Sequence, residues 1–245
     1  MAYTTSPISF NVNQLKNTCA SCNLHTLCLP MGLSTEDLDQ LDELIQTKRR
    51  LRVGESLYRA GDDFHAIYAV RSGFFKSTLS NQDGREQVTG FHMSGEIMGM
   101  DGIASDVYIC DAVALEDSEI CLIQYHHLES VLQSCNSLQH HFHKLMSREI
   151  MRDQNVMMLL GSMRADERLA AFLLNLSQRY AARGFSRHEF YLRMSRSEIA
   201  SYLGLKIETI SRIFSSFQFD GYIEVHQKHI IIKDMGKLEA LISQD

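Results

Sequence analysis

The sequence predicts an α+β protein in three parts: an N-terminal antiparallel β-roll, one long helix and a C-terminal winged helix-turn-helix. Three observations predict it. Between about Leu51 and Gln124, short β-branched and aromatic runs are punctuated by Gly54, Gly61, Gly73, Gly84, Gly90, Gly95, Gly99 and Gly102, the pattern of short strands joined by turns. From Asn136 to about Met163 apolar residues recur at spacings of three and four, the period of a helix. Near the C-terminus a capping box, a glycine turn and a second apolar helix precede a strand pair.

At 245 residues the chain suits one large or two ordinary domains, either able to bury a core. Hydrophobic residues at 44%, charged residues at 22% and only two prolines exclude a disordered or collagen-like chain. The longest apolar stretch in the later half, Val156 to Leu160, falls far short of the roughly 20 residues a bilayer span requires. No membrane span is expected. The start, MAYTTSPISFNVNQLK, lacks a basic segment followed by an apolar block, which predicts a cytoplasmic protein without structural disulfides.

The net charge of -6 argues against a generic polyanion binder, but it is unevenly spread. Arg164 to Lys233 carries 11 Lys and Arg against 7 Asp and Glu, leaving 13 against 23 elsewhere. From Glu86 through His143 there is no Lys or Arg, so that stretch is not expected to hold a phosphate unaided.

Four segments follow in order. Residues 1–33 are polar and weakly periodic but carry Cys19, Cys22 and Cys28, so a metal centre is expected to order them. The spacing lets one loop wrap a soft metal, with a fourth ligand from Cys110, Cys121 or Cys135. Spacing alone leaves iron-sulfur and zinc both open. Residues 34–135 form the roll. Ser34 to Asp37 resembles a capping box leading into Leu38, Leu41, Leu44 and Ile45 at helical spacing. Asp83-Gly84, between Phe74 to Leu79 and Gln87 to His92, is a hairpin signal because both residues tolerate positive φ. No strand signal follows Tyr125 until the C-terminus.

Residues 136–163 form a dimerisation helix. Phe142, Met146, Ile150, Asp153, Met157 and Leu160 make one seam, suited to a parallel partner helix. Two Asp153 side chains would then face each other, and their repulsion would make the dimer marginal. His140, His141 and His143 diverge around the helix and are expected to be solvated or to flank the dimer.

Residues 164–245 form the winged helix-turn-helix. Ser195 to Glu198 caps a helix running through Tyr202, and Gly204 makes the turn into a second helix. Ala200 allows close approach, with Leu203, Ile207, Ile210 and Ile213 as the apolar face. Tyr222 to Val225 and His229 to Ile232 flank Gln227-Lys228 as the wing. The second helix of such a unit enters the major groove by its N-terminal end. Glu208, Ser211 and Arg212 fall on its exposed face, while Ile207 and Ile210 turn inward. Glu accepts from cytosine N4, Arg donates twice to guanine, and Ser bonds to either type of group. Arg196, Lys206 and Thr209 suit phosphates. Lys206 stands where a capping Ser or Thr is expected. No Gly-rich phosphate loop, flavin fingerprint or nucleophile elbow accompanies the cysteines, so no enzyme is expected.

This order of segments, with the stretches CASCNLHTLCLP, LYRAGD, YAVRSGFFKS, EQVTGFH, ERLAAFLLNLS and YLGLKIETISR, resembles the CRP/FNR superfamily of bacterial transcription regulators. The cysteine spacing is similar to that of its oxygen-sensing FNR branch. The resemblance runs from about Cys19 to Ile232 and implies a roll of the cyclic-nucleotide-binding type. It further implies that Cys19, Cys22, Cys28 and Cys121 bind a 4Fe-4S cluster that favours the dimer and operator binding. Oxygen would convert the cluster to 2Fe-2S and release monomers. Ile150 and Asp153 match positions that tune subunit association. Glu208, Ser211 and Arg212 match the base-reading residues, implying palindromic DNA with TTGAT-like half-sites. Ser72, Gly84, Arg85 and Glu86 match loops that meet RNA polymerase, where Arg85 departs from the expected acidic residue. The cyclic-AMP branch needs a phosphate-holding Arg followed by a small hydroxyl residue. Tyr108-Ile109-Cys110 stands there instead, beside Asp106 and Asp111, so no cyclic nucleotide is expected. The competing reading is a zinc-bound or thiol-redox-sensing regulator of the same family.

Overall fold

The computed structural model describes residues 19, 22–24, 27–29, 41–42, 45, 47–81 and 83–243. The capping box at Ser34 to Asp37, with Leu38 and Leu44, lies outside them. Leu41 and Asp42 are helical, and Leu41 is fully buried.

Eight strands build the roll: β1 (Thr47–Leu51), β2 (Ser56–Tyr58), β3 (Ala66–Ser72), β4 (Phe74–Ser80), β5 (Glu86–Met93), β6 (Ile97–Met98), β7 (Asp111–Ala114) and β8 (Ser118–Gln124). They form two antiparallel sheets, β1-β8-β3-β6 and β2-β7-β4-β5. Side chains alternate across the pleat, which buries Ile67, Phe75, Ile120 and Ile123 in one continuous core. Gly73 turns β3 into β4 at φ +100°, where a Cβ would sit 2.0 Å from the Ser118 hydroxyl. A side chain there has no room. The β4–β5 hairpin is longer than a two-residue turn. Gly84 adopts φ +74°, and the Asn81 side chain accepts the amides of Asp83 at 3.1 Å and Arg85 at 2.9 Å.

Six helices follow the roll: α1 (Tyr125–Ser134), α2 (Asn136–Ser162), α3 (Ala165–Ala181), α4 (Arg196–Tyr202), α5 (Ile207–Phe219) and α6 (Met235–Ile242). The long α2 ends within a residue of the expected boundary. No described helix is long and apolar enough to cross a membrane. Between them lie β9 (Glu189–Tyr191), β10 (Ile223–His226) and β11 (His229–Ile232), a sheet ordered β10-β11-β9. The wing is as expected, whereas β9 is a correction. Its three residues bury only Phe190, too few for alternation to be visible in the sequence.

A second core joins Leu169, Leu173 and Leu176 of α3, Ile199 of α4 and Ile210 and Phe214 of α5. Phe74, Val88, Phe91 and Met93, on the outward face of β4 and β5, belong to it. The roll and the helix-turn-helix are thus packed against each other.

Candidate DNA interface and cysteine site

Helix α4 starts at a reciprocal capping box. The Glu198 amide donates to the Ser195 hydroxyl at 3.2 Å, and the Ser195 amide to the Glu198 carboxylate at 2.7 Å. Gly204 makes the turn at φ +62°. Helix α5 begins after Lys206 without a side-chain cap, which leaves its first amides turned outward. Lys206, Glu208, Ser211 and Arg212 are exposed and Thr209 half-buried, so the face assigned to DNA is open. The Ser211 hydroxyl donates to the Ile207 carbonyl at 2.9 Å, leaving its oxygen able to accept.

Two details correct the expectation. Ile207 is 44% exposed rather than inward, because it is the first residue of α5 and the core begins one turn later at fully buried Ile210. Arg196 is not a free cation. Its guanidinium lies 3.2 Å from the centre of the Phe214 ring, one nitrogen is buried without a partner, and burial pulls its pKa down to about 10. It must leave that ring to reach a phosphate.

Three of the cysteines lie in the loop ahead of the roll. The Cys22 amide donates to the Cys19 carbonyl at 3.2 Å and the Cys28 amide to the Leu24 carbonyl at 3.0 Å, two tight turns that wind the loop. Cys121 stands on β8, and Cys19, Cys28 and Cys121 pack against the roll core. Burial raises the Cys19, Cys28 and Cys121 pKa values, that of Cys28 to about 12; Asp42 adds to the rise at Cys19. Among the described residues no three His, Cys, Asp or Glu side chains stand close enough together to hold a metal ion. The donor set fits a soft metal centre in type, since thiolates suit such a metal and a bound cation displaces the thiol protons that burial retains. Cys110 and Cys135 are buried, and the Cys110 thiol donates to Asp101 at 3.2 Å.

His141 is a residue the sequence did not reveal. It is buried, with its Nε2 lacking a hydrogen-bond partner among the described residues and its ring beside the Cys28 backbone, which sets the cysteine loop against α2 and corrects the solvated role expected for it. Further along α2, Phe142 is buried in the chain's own core. Ile150, Asp153 and Met157 are exposed, with Met146 and Leu160 half-buried. Ser72, Gly84, Arg85 and Glu86 are exposed or at exposed turns of the roll.

A roll joined by one long helix to an open winged helix-turn-helix is the build of a DNA-binding transcription regulator, not of an enzyme. Residues 167–241 match the Crp-like helix-turn-helix domain and residues 48–135 the cyclic nucleotide-binding domain. The chain is 46% identical to the transcriptional regulatory protein btr of Bordetella pertussis over 93% of its own length and 94% of the relative's. It is 45% identical to the transcriptional activator protein anr of Pseudomonas aeruginosa, covering 91% of each. Against the fumarate and nitrate reduction regulatory protein of Salmonella typhimurium the identity is 43%, over 91% of this chain and 89% of that one. The structure of FixK2 from Bradyrhizobium japonicum superposes with a TM-score of 0.75 at 27% identity, over 81% of this chain and 98% of that one. The chain belongs to the CRP/FNR family of transcription regulators.

Proposed function

We propose that this regulator is oxygen-responsive: Cys19, Cys22, Cys28 and Cys121 hold a 4Fe-4S cluster, and the loaded protein binds palindromic DNA as a homodimer. The observation that carries the reading is that Cys19 and Cys28 of the loop pack with Cys121 of the distant β8 against one core. When bound, the cluster supplies sensitivity to oxygen. The loop's own residues anchor it to α2 through His141, and α2 presents Met146, Ile150, Asp153, Met157 and Leu160 to a second copy. Opposed Asp153 carboxylates keep that association weak enough to be switched.

On DNA, α5 enters the major groove of each TTGAT-like half-site, with half-sites about one helical turn apart. Glu208 accepts from cytosine, Arg212 donates to guanine, and Ser211 completes the base contacts. Lys206 and Thr209 take phosphates, Arg196 joins them only by leaving the Phe214 ring, and Ser72, Gly84, Arg85 and Glu86 face RNA polymerase in the cytoplasm. The effector is not a cyclic nucleotide. The Ile109 and Cys110 amides already donate to the Asp101 carboxylate at 2.9 and 3.2 Å, and no Lys or Arg lies between Glu86 and His143 to hold a phosphate.

Iron and acid-labile sulfide on protein purified without oxygen test the reading. About four of each per chain, with absorption that bleaches in air, are expected. Zinc, or no metal, would overturn the cluster and leave the DNA reader standing.

A further inference from the structure

The cysteine loop touches the roll at one point that also reaches the DNA-binding domain. A Cβ built on Gly95 would lie 2.9 Å from the Leu27 Cβ, 3.7 Å from its Cδ1 and 3.8 Å from a Leu24 methyl. Both leucines lie between Cys22 and Cys28, so the loop rests on the backbone of Gly95 at a distance only glycine allows. The turn is pinned to β3, since the Gly95 amide donates to the Val70 carbonyl at 2.7 Å and the Val70 amide to the Glu96 carbonyl at 2.9 Å.

The next side chain is Glu96, and it gathers three cations from two helices. Arg179 of α3 donates to its carboxylate at 2.6 and 3.1 Å, and Arg183, just past the end of α3, at 2.7 Å. Arg152 of α2 stands 3.8 Å away. The same arginines grip neighbouring carbonyls, Arg152 and Arg179 that of Phe91 and Arg183 that of Ser94, each at 2.6 Å. Arg152 adjoins Asp153 on the seam, and α3 opens the DNA-binding domain. One largely buried carboxylate therefore binds the loop's resting place, the dimerisation helix and the DNA reader together.

We propose that Glu96 is the positioning residue that transmits the state of the cysteine loop to α2 and α3, through the contact of Leu27 on Gly95 and the ion pairs to Arg152, Arg179 and Arg183. This rests on the cluster reading above. Three cations surround this carboxylate, with Glu149 also holding Arg152 at 3.3 Å, so a shift of the 94–96 turn changes both the attraction to Glu96 and the balance among the arginines. Other contacts between roll and reader do not pass the loop. Lys76 meets Glu198, the Val88 amide meets the Ser201 hydroxyl and Arg193 meets Glu116, none of them a contact of a loop residue. The His141 contact reaches α2 but not α3.

The test compares cluster-loaded and cluster-free protein, each as wild type, Glu96→Gln and Glu96→Asp. The probe is a duplex carrying a palindrome of TTGAT half-sites, and amide hydrogen exchange across 165–181 is read in parallel. Wild type is expected to bind the duplex about 5- to 150-fold tighter when loaded, the usual range of coupling between sites, with altered exchange in α3. Glu96→Gln should hold the same iron while the affinity ratio falls toward one and the exchange difference in α3 vanishes; Glu96→Asp should restore part of both. An unchanged ratio and exchange difference in Glu96→Gln, at full iron content, overturns the proposal. Loss of iron in Glu96→Gln overturns it too, because the residue would then build the cysteine site rather than relay from it. Should Glu96→Gln not fold, Arg183→Gln decides by the same criteria. A wild type without iron overturns the cluster reading itself and this inference with it.

Discussion

The Glu198 carboxylate closes the capping box of α4 and at the same time meets the Lys76 ammonium of the roll at 2.8 Å. A single side chain thus starts a helix of the DNA reader and fixes that helix to the sensor. Both partners are about four-fifths buried, so the pair is less screened than a surface bridge. Glu198→Ala is expected to lower stability by about 1 to 2 kcal/mol through loss of the cap. Lys76→Ala should cost about 1 kcal/mol. Thermal unfolding of the double variant checks the coupling, since strictly additive losses would mean that the cap and the bridge act independently.

Stability should fall with acid in a window set by two buried groups. Burial alone would raise the Glu96 pKa; Arg179, Arg152 and Arg183 reverse this and hold it at about 2. Burial pulls the His92 pKa down to about 3. Both folded values are depressed, so in each case the unfolded chain binds the proton first and stability rises with pH. The Glu96 contribution is complete above its ordinary carboxylate range and lost toward pH 2. That of His92 is complete above about pH 6.5 and is lost progressively toward pH 3. Urea midpoints between pH 7 and pH 3 should therefore decline, and His92→Gln should flatten the slope between about pH 6 and pH 4. An unaltered slope in that variant would assign the acid sensitivity elsewhere.

Base readers and phosphate holders should separate experimentally. Arg212→Ala or Glu208→Gln is expected to relax preference at one base pair by about 1 to 3 kcal/mol. Lys206→Ala should weaken every duplex alike and reduce the salt slope by about one. Titrations of operator variants at several salt concentrations distinguish the two classes, and equal losses on all sequences for Arg212→Ala would remove it from the bases.

Cys121 and Cys110 make a matched pair for testing the ligand set. Cys121→Ser should abolish iron incorporation, while Cys110→Ser, whose thiol serves Asp101 instead, should retain it. Iron analysis of the two variants, purified alike without oxygen, gives the answer directly.

Asp153→Ala should strengthen self-association about five- to tenfold, the range set by relieving roughly 1 kcal/mol of like-charge repulsion near a two-fold axis. Sedimentation at several concentrations and salt levels measures it. A salt-insensitive equilibrium identical to wild type would place Asp153 away from the axis.

Local chemistry made much of the fold legible. The Ser195 and Glu198 pair, the Gly204 turn, the Gln227 hairpin and the period of α2 each report on neighbours within a few residues, where spacing determines structure. β9 escaped because three residues hold too little pattern, and Ile207 because a helix's first turn projects beyond the core that its period predicts. Arg196 was misread for a related reason: residue type suggests a phosphate, whereas the ring of Phe214 decides where the guanidinium lies.

The sequence by itself determined the class of the molecule: a glycine-punctuated roll, one long helix, a capped and winged DNA reader, and a thiol-rich loop. These follow from side-chain periodicity and turn chemistry, which act along the chain. Only the tertiary structure decided which distant groups meet. Cys121, which the resemblance also implies, packs on β8 against the same core as Cys19 and Cys28, the His141 ring lies beside the Cys28 backbone, and Glu96 draws arginines from α2, α3 and the residues just past α3. Burial and ion pairing depend on separation in space, and no local spacing encodes it.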